Sequence, residues 1–443
     1  MKKRLKIIFS LSLLAILSFS CTEKPDYYKV VDGQFIHDGS PYYFIGTNFW
    51  YGSILASDGE GGDRARLSAE LDTLKSIGLT NLRIMVGSDG ENGVPSKVEP
   101  TLQKSPGNYN DTLLRGLDYM MCELGKRGMS AVLFLNNAWE WTGGYGQYLE
   151  WAGYGKAPIP NIDGWDKYHD YVSQFIRSDS AKALFSNYVK YIVGRKNGIT
   201  GKPYSEDPAI FSWQIGNEPR VFNTDSASKA EFVDWLRSTA KLIKGIDGNH
   251  MVSIGSEGYH GCEDDWNLYE SCCSIPEIDY INMHIWPYNW GWIDRTDPAA
   301  GVTEDDAKSI DSTNAYMEKH LEIAARVKKP LVCEEFGYPR DGFSFSPGSA
   351  TAARDAYYSN MFGHIVKSGK EGGYFAGCNF WGWGGLAKAR HTFWEKGDDY
   401  TGDPAQEQQG LNSVFATDTS TLDVIRRACS RLQQTINETN SKL

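Results

Sequence analysis

Ile210-Phe211-Ser212-Trp213-Gln214-Ile215-Gly216-Asn217-Glu218-Pro219 is the stretch on which the fold turns. Its first six residues are mostly aromatic or β-branched, the types that favour extended chain. The run is nearly continuous rather than alternating, as in a parallel strand buried on both faces. Pro219 cannot continue a ladder, so the strand stops before it. Asn217 and Glu218 therefore stand at a strand's C-terminal end.

The same pattern recurs along the chain. Apolar extended runs are expected at 42–47, 80–86, 131–135, 209–215, 251–254, 279–283, 330–333 and 374–380. Between them lie helical stretches at 64–77, 113–127, 181–194, 231–246, 307–327 and 352–367. In the first, Leu67, Leu71 and Leu74 share one face. Eight buried strands alternating with helices predict a (β/α)8 barrel. The rival is an open doubly wound sheet, which would need a phosphate-binding turn after its first strand. The glycines at 59–62 do not form GxGxxG, so a nucleotide fold is disfavoured. The 443 residues then divide into a segment at 1–20, a tether at 22–30 and a single barrel domain at 31–443.

Residues 1–6 are basic and 7–20 form an apolar run. That run is shorter than the ~20 residues of a bilayer span and has the length of a signal h-region. Cys21 follows at once, where a bacterial lipoprotein signal places its lipidated residue. The expectation is an exported protein, lipid-anchored through Cys21 at the cell envelope or otherwise secreted. The remaining seven cysteines are odd in number. Cys262 with Cys272 or Cys273 is a candidate loop disulfide in an oxidising compartment.

The net charge of -11 disfavours nucleic acid as a partner. The 14 Trp and 25 Tyr are abundant, and many fall in polar, glycine-rich stretches. Flat rings on loops suit the apolar faces of sugars. No histidine or cysteine cluster has zinc spacing and no GxSxG elbow is present, so no metal and no cofactor are expected.

A barrel of this type carries chemistry at the C-terminal ends of its strands. Those ends read Asn48, Arg83, Asn136, Asn217-Glu218, Glu257, His284, Glu335 and Trp381. Two carboxyls on facing strands can cleave a glycosidic bond with retention if they lie ~5–5.5 Å apart. One donates a proton to the leaving oxygen while the other attacks the anomeric carbon. Glu218 is read as acid/base, its carboxyl raised by burial and by a negative neighbour. Glu335 is read as nucleophile, held ionised by the Arg83 guanidinium. Asn217 is placed to bond a sugar 2-hydroxyl, His284 to touch substrate or orient a carboxylate, and Trp381 to floor the site. Glu334 is expected to point away, because strand neighbours face opposite sides.

These residues resemble the active-site set of glycoside hydrolase family 5, and within it the bacterial β-mannanases. The resemblance runs from about residue 42 to 415. It rests on Asn217-Glu218-Pro219 and Glu334-Glu335-Phe336-Gly337, and on Asn136-Asn137-Ala138-Trp139-Glu140-Trp141. His284-Ile285-Trp286-Pro287 with Asn289-Trp290, and Phe380-Trp381-Gly382-Trp383, extend it. It implies Arg83, Asn217, Glu218, His284, Glu335 and Trp381 as site residues. The chain departs from the broader family at Asn136, where a histidine is common. It departs again at Trp286, where a tyrosine often touches the nucleophile. Stacking candidates are Trp139, Trp141, Trp151, Trp290, Trp292 and Trp383, with Asn136 and Trp286 as further substrate contacts.

The reading is a retaining, endo-acting hydrolase of β-1,4-mannosidic linkages in mannan-type polysaccharides. The alternatives are an exo-acting β-mannosidase or mannobiohydrolase, another β-1,4-glucanase, or a non-catalytic surface glycan-binding lipoprotein.

Overall fold

The computed structural model describes residues 26–293 and 301–440. The segment at 1–20, Cys21 and the first part of the tether, residues 22–25, lie outside the described residues. Eight parallel strands form the core sheet. They are β1 Phe44–Asn48, β2 Asn81–Met85, β3 Ser130–Phe134, β4 Ile210–Gln214, β5 Met251–Ser253, β6 Ile281–Ile285, β7 Leu331–Phe336 and β8 Phe375–Phe380. Every residue of these strands is buried, which is why their sequences do not alternate.

The order in the sheet is β5-β4-β3-β2-β1-β8-β7-β6. Its two ends meet through single hydrogen bonds rather than a ladder. Asp279 N donates to Val252 O at 2.9 Å, and His284 N donates to Glu257 O at 3.1 Å. The sheet thus closes into the expected barrel. Each strand is followed by a helix: α1 Arg64–Ser76, α2 Asp111–Arg127, α3 Asp179–Val193, α4 Ser226–Ile246, α5 Trp266–Cys273, α6 Glu304–Val327, α7 Ala352–Glu371 and α8 Thr419–Asn440. Their starts are capped as their sequences dictate. Asp63, Asn110, Ser178, Asp225 and Asp265 each accept a bond from the first turn.

Within the described residues, β structure begins before residue 31. Lys29–Val31 pairs with Gln34–His37, and that strand with Ser40–Pro41, in a small antiparallel sheet. Tyr28 is already buried. This sheet covers the N-terminal end of the barrel, where Phe35, Phe44, Phe211 and Tyr280 pack together.

Two expectations change. The strand expected at 330–333 runs on to Phe336, so Glu334 and Glu335 lie within it. All seven cysteines among the described residues are free, so Cys262 forms no disulfide with Cys272 or Cys273.

Candidate active site

The loop ends of the strands surround a cleft of about 340 Å³. Asn217, Glu218, Glu335, Trp139, Trp286, Trp290 and Trp381 line it. Arg83 and His284 stand behind it, fully buried. Asn136 does not line it. Its side chain accepts a bond from Asn137 N at 2.7 Å, and its carbonyl accepts one from Asn217 N at 2.7 Å. It anchors the loop that carries Asn217.

Glu218 is reached by a tight turn after β4. Its φ is +50°, a left-handed conformation that costs a side-chain-bearing residue ~1–2 kcal/mol. Glu218 N donates to Gly255 O at 2.9 Å, which holds the turn. Gly255 has φ +83°, and a Cβ there would collide with Gly216 O, so only glycine lets the β4 and β5 loops meet.

One oxygen each of Glu218 and Glu335 and one His284 nitrogen lie within 4.8 Å of one another. His284 Nδ1 is 2.7 Å from Glu218 Oε1 and 3.4 Å from Glu335 Oε2. Arg83 clamps the site from below. Its Nη1 donates to Glu335 Oε1 at 2.5 Å and to Asn48 Oδ1 at 3.1 Å. Its Nη2 donates to Asn217 Oδ1 at 2.8 Å. Asn217 Nδ2 in turn donates to Asn137 Oδ1 at 3.2 Å. Three such groups could also ligate a cation, but the Arg83 guanidinium already neutralises the Glu335 side of the trio.

The second oxygen of Glu218 accepts a bond from the Trp139 indole at 2.5 Å. Arg220 lies over the Trp139 ring at 5.2 Å and pairs with Glu257. Burial alone would raise Glu218. The His284 bond and charge, Arg220 and Trp139 outweigh it and hold the carboxyl at about 2. This reverses the expected raised value. The sequence showed the negative neighbour but not the three donors converging on Glu218. Burial pushes Glu335 up to about 7 against the lowering pull of His284 and Arg83, with Glu218 adding to the rise. His284 is raised overall: burial lowers it, but the two carboxylates raise it more. Of the two bonded partners, His284 rather than Glu218 is therefore favoured to carry a proton.

The contact that a tyrosine often makes in the broader family falls here to His284, and Trp286 packs edge-on to Trp381 at 6.0 Å. Of the stacking candidates, Trp139, Trp141 and Trp290 line the cleft. Trp151 packs on Tyr148, Trp292 on Trp290 and Tyr316, and the buried Trp383 bonds Glu70 at 2.6 Å.

Several lining residues had no sequence signal. Trp165, 48% exposed, reaches the cleft from a helix at Trp165–Val172 inserted between β3 and α3. Pro404, Gln406 and Glu407 come from the long loop after β8. That loop is stapled by the buried Asp403, which accepts from Gly410 N and Asn412 N at 2.8 Å. Arg220 could have been suspected from its place directly after Asn217-Glu218-Pro219.

A family model described as GH family 5 β-mannosidase-like matches residues 25–437. A putative mannan endo-1,4-β-mannosidase 9 of Oryza sativa subsp. japonica is 31% identical over 411 residues, covering 90% of this chain and 88% of that one. A family 5 mannosidase structure from Rhizomucor miehei is 31% identical with a TM-score of 0.84, over 94% of this chain and 99% of that one. The endo-1,4-β-mannanase of the same fungus shares the fold at a TM-score of 0.66 and 21% identity, over 92% of this chain and 99% of that one. The chain belongs to glycoside hydrolase family 5, among its β-mannosidase-like members.

Proposed function

We propose that the protein hydrolyses β-1,4-mannosidic bonds with net retention, cutting within mannan-type chains. The observation that carries this is the approach of Glu218 and Glu335 oxygens to within 4.8 Å across the cleft. A retaining pair stands ~5–5.5 Å apart, whereas an inverting pair leaves ~6.5–9.5 Å for a water. The relatives' names point to the same linkage.

In this reading Glu335 attacks the anomeric carbon, and the bond to the leaving oxygen breaks. The leaving oxygen takes its proton from Glu218. That proton reaches Glu218 from His284 along their 2.7 Å contact. Glu218, now ionised, deprotonates a water that displaces Glu335 from the sugar. Arg83 stabilises the Glu335 carboxylate before attack and after release. Asn217, locked by Arg83 and Asn137, keeps one amide hydrogen for the 2-hydroxyl. Glu140 Oε2, Gln406 Oε1, Glu407 Oε2 and Trp381 Nε1 are buried without a partner among the described residues. Sugar hydroxyls would satisfy them.

A second reading is exo action. The loop bearing Pro404, Gln406 and Glu407 narrows a cleft whose volume is near the lower end of the ~300–1,000 Å³ typical of ligand sites. Incubation with mannan, galactomannan, cellulose and xylan, with products sized over time, separates the cases. Mixed mannooligosaccharides should appear early, and NMR should show the β-anomer forming first. A single short product from the outset would favour exo action. An α-anomer, or no cleavage of either mannan, would remove the proposal.

We also propose, from residues 1–21 alone, export and lipid anchoring through Cys21. Cys21→Ala should move the protein from the membrane fraction to the soluble one. Unchanged partition would reject the anchor.

A further inference from the structure

Below the two cleft carboxylates lies a third that the steps above do not use. Glu334 is fully buried inside the barrel. Its Oε2 accepts from Gln214 Nε2 at 2.5 Å, and its Oε1 from the Tyr280 hydroxyl at 3.1 Å. Arg83 Nε lies 4.0 Å from the same Oε2. Gln214 joins the two groups, because its Oε1 accepts from Arg83 Nε at 2.8 Å while its amide nitrogen serves Glu334 and Ser253.

The strand alternation that would have turned Glu334 away from Glu335 is broken here. The register between β6 and β7 shifts, pairing Met283 with Cys333 and His284 with Glu335. Both glutamates then reach Arg83, Glu335 Oε1 at 2.5 Å from Nη1 and Glu334 Oε2 at 4.0 Å from Nε. A single guanidinium serves two buried carboxylates.

A buried carboxylate is costly, and an apolar residue or an amide would fill this place more cheaply. The hydrogen bonds around Glu334 fix both of its oxygens, so its charge is held in one place relative to Arg83. An Arg83 cation paired with Glu335 alone would hold that carboxylate tightly and make it a weaker nucleophile. A competing negative charge behind Arg83 divides the attraction.

We propose that Glu334 is a positioning residue: through Arg83 and Gln214 it sets the orientation of the guanidinium and keeps Glu335 basic enough to attack. The inference rests on the reading of Glu335 as nucleophile. The charged groups facing Glu335 are Arg83 from β2, Glu218 from the β4 loop, His284 from β6 and Glu407 from the β8 loop, with Glu334 on its own strand. Of these, Glu334 reaches Glu335 mainly through Arg83 and Gln214, with a further electrostatic pull on His284.

The test is the pH profile of kcat/KM for the full chain and its Glu334→Gln variant, on an aryl β-mannoside and on mannotetraose. The amide preserves shape and can still accept from Gln214. The acid limb should move to lower pH by about one unit as Arg83 turns undivided to Glu335. kcat should fall roughly tenfold with KM within about twofold, the pattern of a lost transition-state interaction. A profile that superimposes on the parent's after scaling, at any kcat, overturns the proposal. If Glu334→Gln does not fold, Tyr280→Phe decides, because it removes one donor to Glu334 and should move the limb the same way by less. An unmoved limb there also overturns it. Glu335→Ala in the same assay separates the two ideas. If Glu335→Ala stays active, the nucleophile reading fails. If it is inactive while Glu334→Gln keeps the parent profile, only this inference fails.

Discussion

At the N-terminal end of the barrel, Phe211 is fully buried among the rings of Tyr28, Phe35, Tyr42, Phe44 and Tyr280, with centroids 4.9 to 6.0 Å away. At the C-terminal end, Arg83 is equally buried among Asn48, Gln214, Asn217, Glu334 and Glu335. One end is filled by shape and apolar area, the other by charge. Tyr280 joins them, its ring in the aromatic plug and its hydroxyl on Glu334. The difference teaches where stability and function are kept. The plug contributes to folding without touching the cleft. The charged end bears desolvation that folding alone would not select.

The comparison breaks if removing the charged end spares activity. Glu335→Ala should lose roughly ten-thousandfold in kcat on mannan while still binding it, because no covalent intermediate can form. Glu218→Ala should lose as much on mannan but far less in the first step on a 2,4-dinitrophenyl mannoside. General acid help is worth ~100- to 10,000-fold and a good leaving group needs little of it. Burst and steady-state kinetics read both. Equal losses in the first step would reject the roles, and hydrolysis surviving Glu335→Ala would reject Glu335 as the nucleophile.

Phe211→Ala probes the other end. It should cost ~3–5 kcal/mol in urea unfolding, the range for a buried aromatic. The kcat/KM of the molecules that remain folded should be unchanged. A drop in kcat/KM with little loss of stability would mean that the two ends are coupled through Tyr280.

The smallest effect sharpens the cost at the cleft. Burial raises the Glu140 carboxyl from 4.5 to about 7, and one of its oxygens is unpartnered among the described residues. The neutral form is favoured by folding. Its stabilisation is whole below about pH 4.5 and is lost as pH rises through about 7. Glu140→Gln stays neutral throughout. Its stability relative to the parent should therefore be flat in acid and improve by at most about 3 kcal/mol by pH 8. Thermal melts across that range test it, and a pH-independent difference would reject the assignment.

Much of this was legible because buried parallel strands leave a local signature. Each expected strand lies within a few residues of an observed one, and Asn217-Glu218 and Glu335 emerge where the apolar runs end. The short helix α5 and the chain-terminal α8 were not anticipated. The N-terminal sheet at 29–41 was missed as well, since its strands are only two to four residues long. Trp165 and Glu407 were missed for another reason. Each sits in a long connection whose path depends on distant anchors such as Asp403, so nothing local marks it as lining a cleft.

Sequence by itself determined the alternation of strand and helix, hence the barrel, and the two acidic residues at strand ends. Both follow from short-range chemistry: which residues extend, which cap, which stop a strand. Tertiary structure alone decided which way each site group's affinity for a proton shifts and which way Glu334 points. A proton's place depends on donors such as His284, Trp139 and Arg83 that converge from separate strands. The direction of Glu334 depends on a register shift against a neighbouring strand, which no single strand's sequence contains.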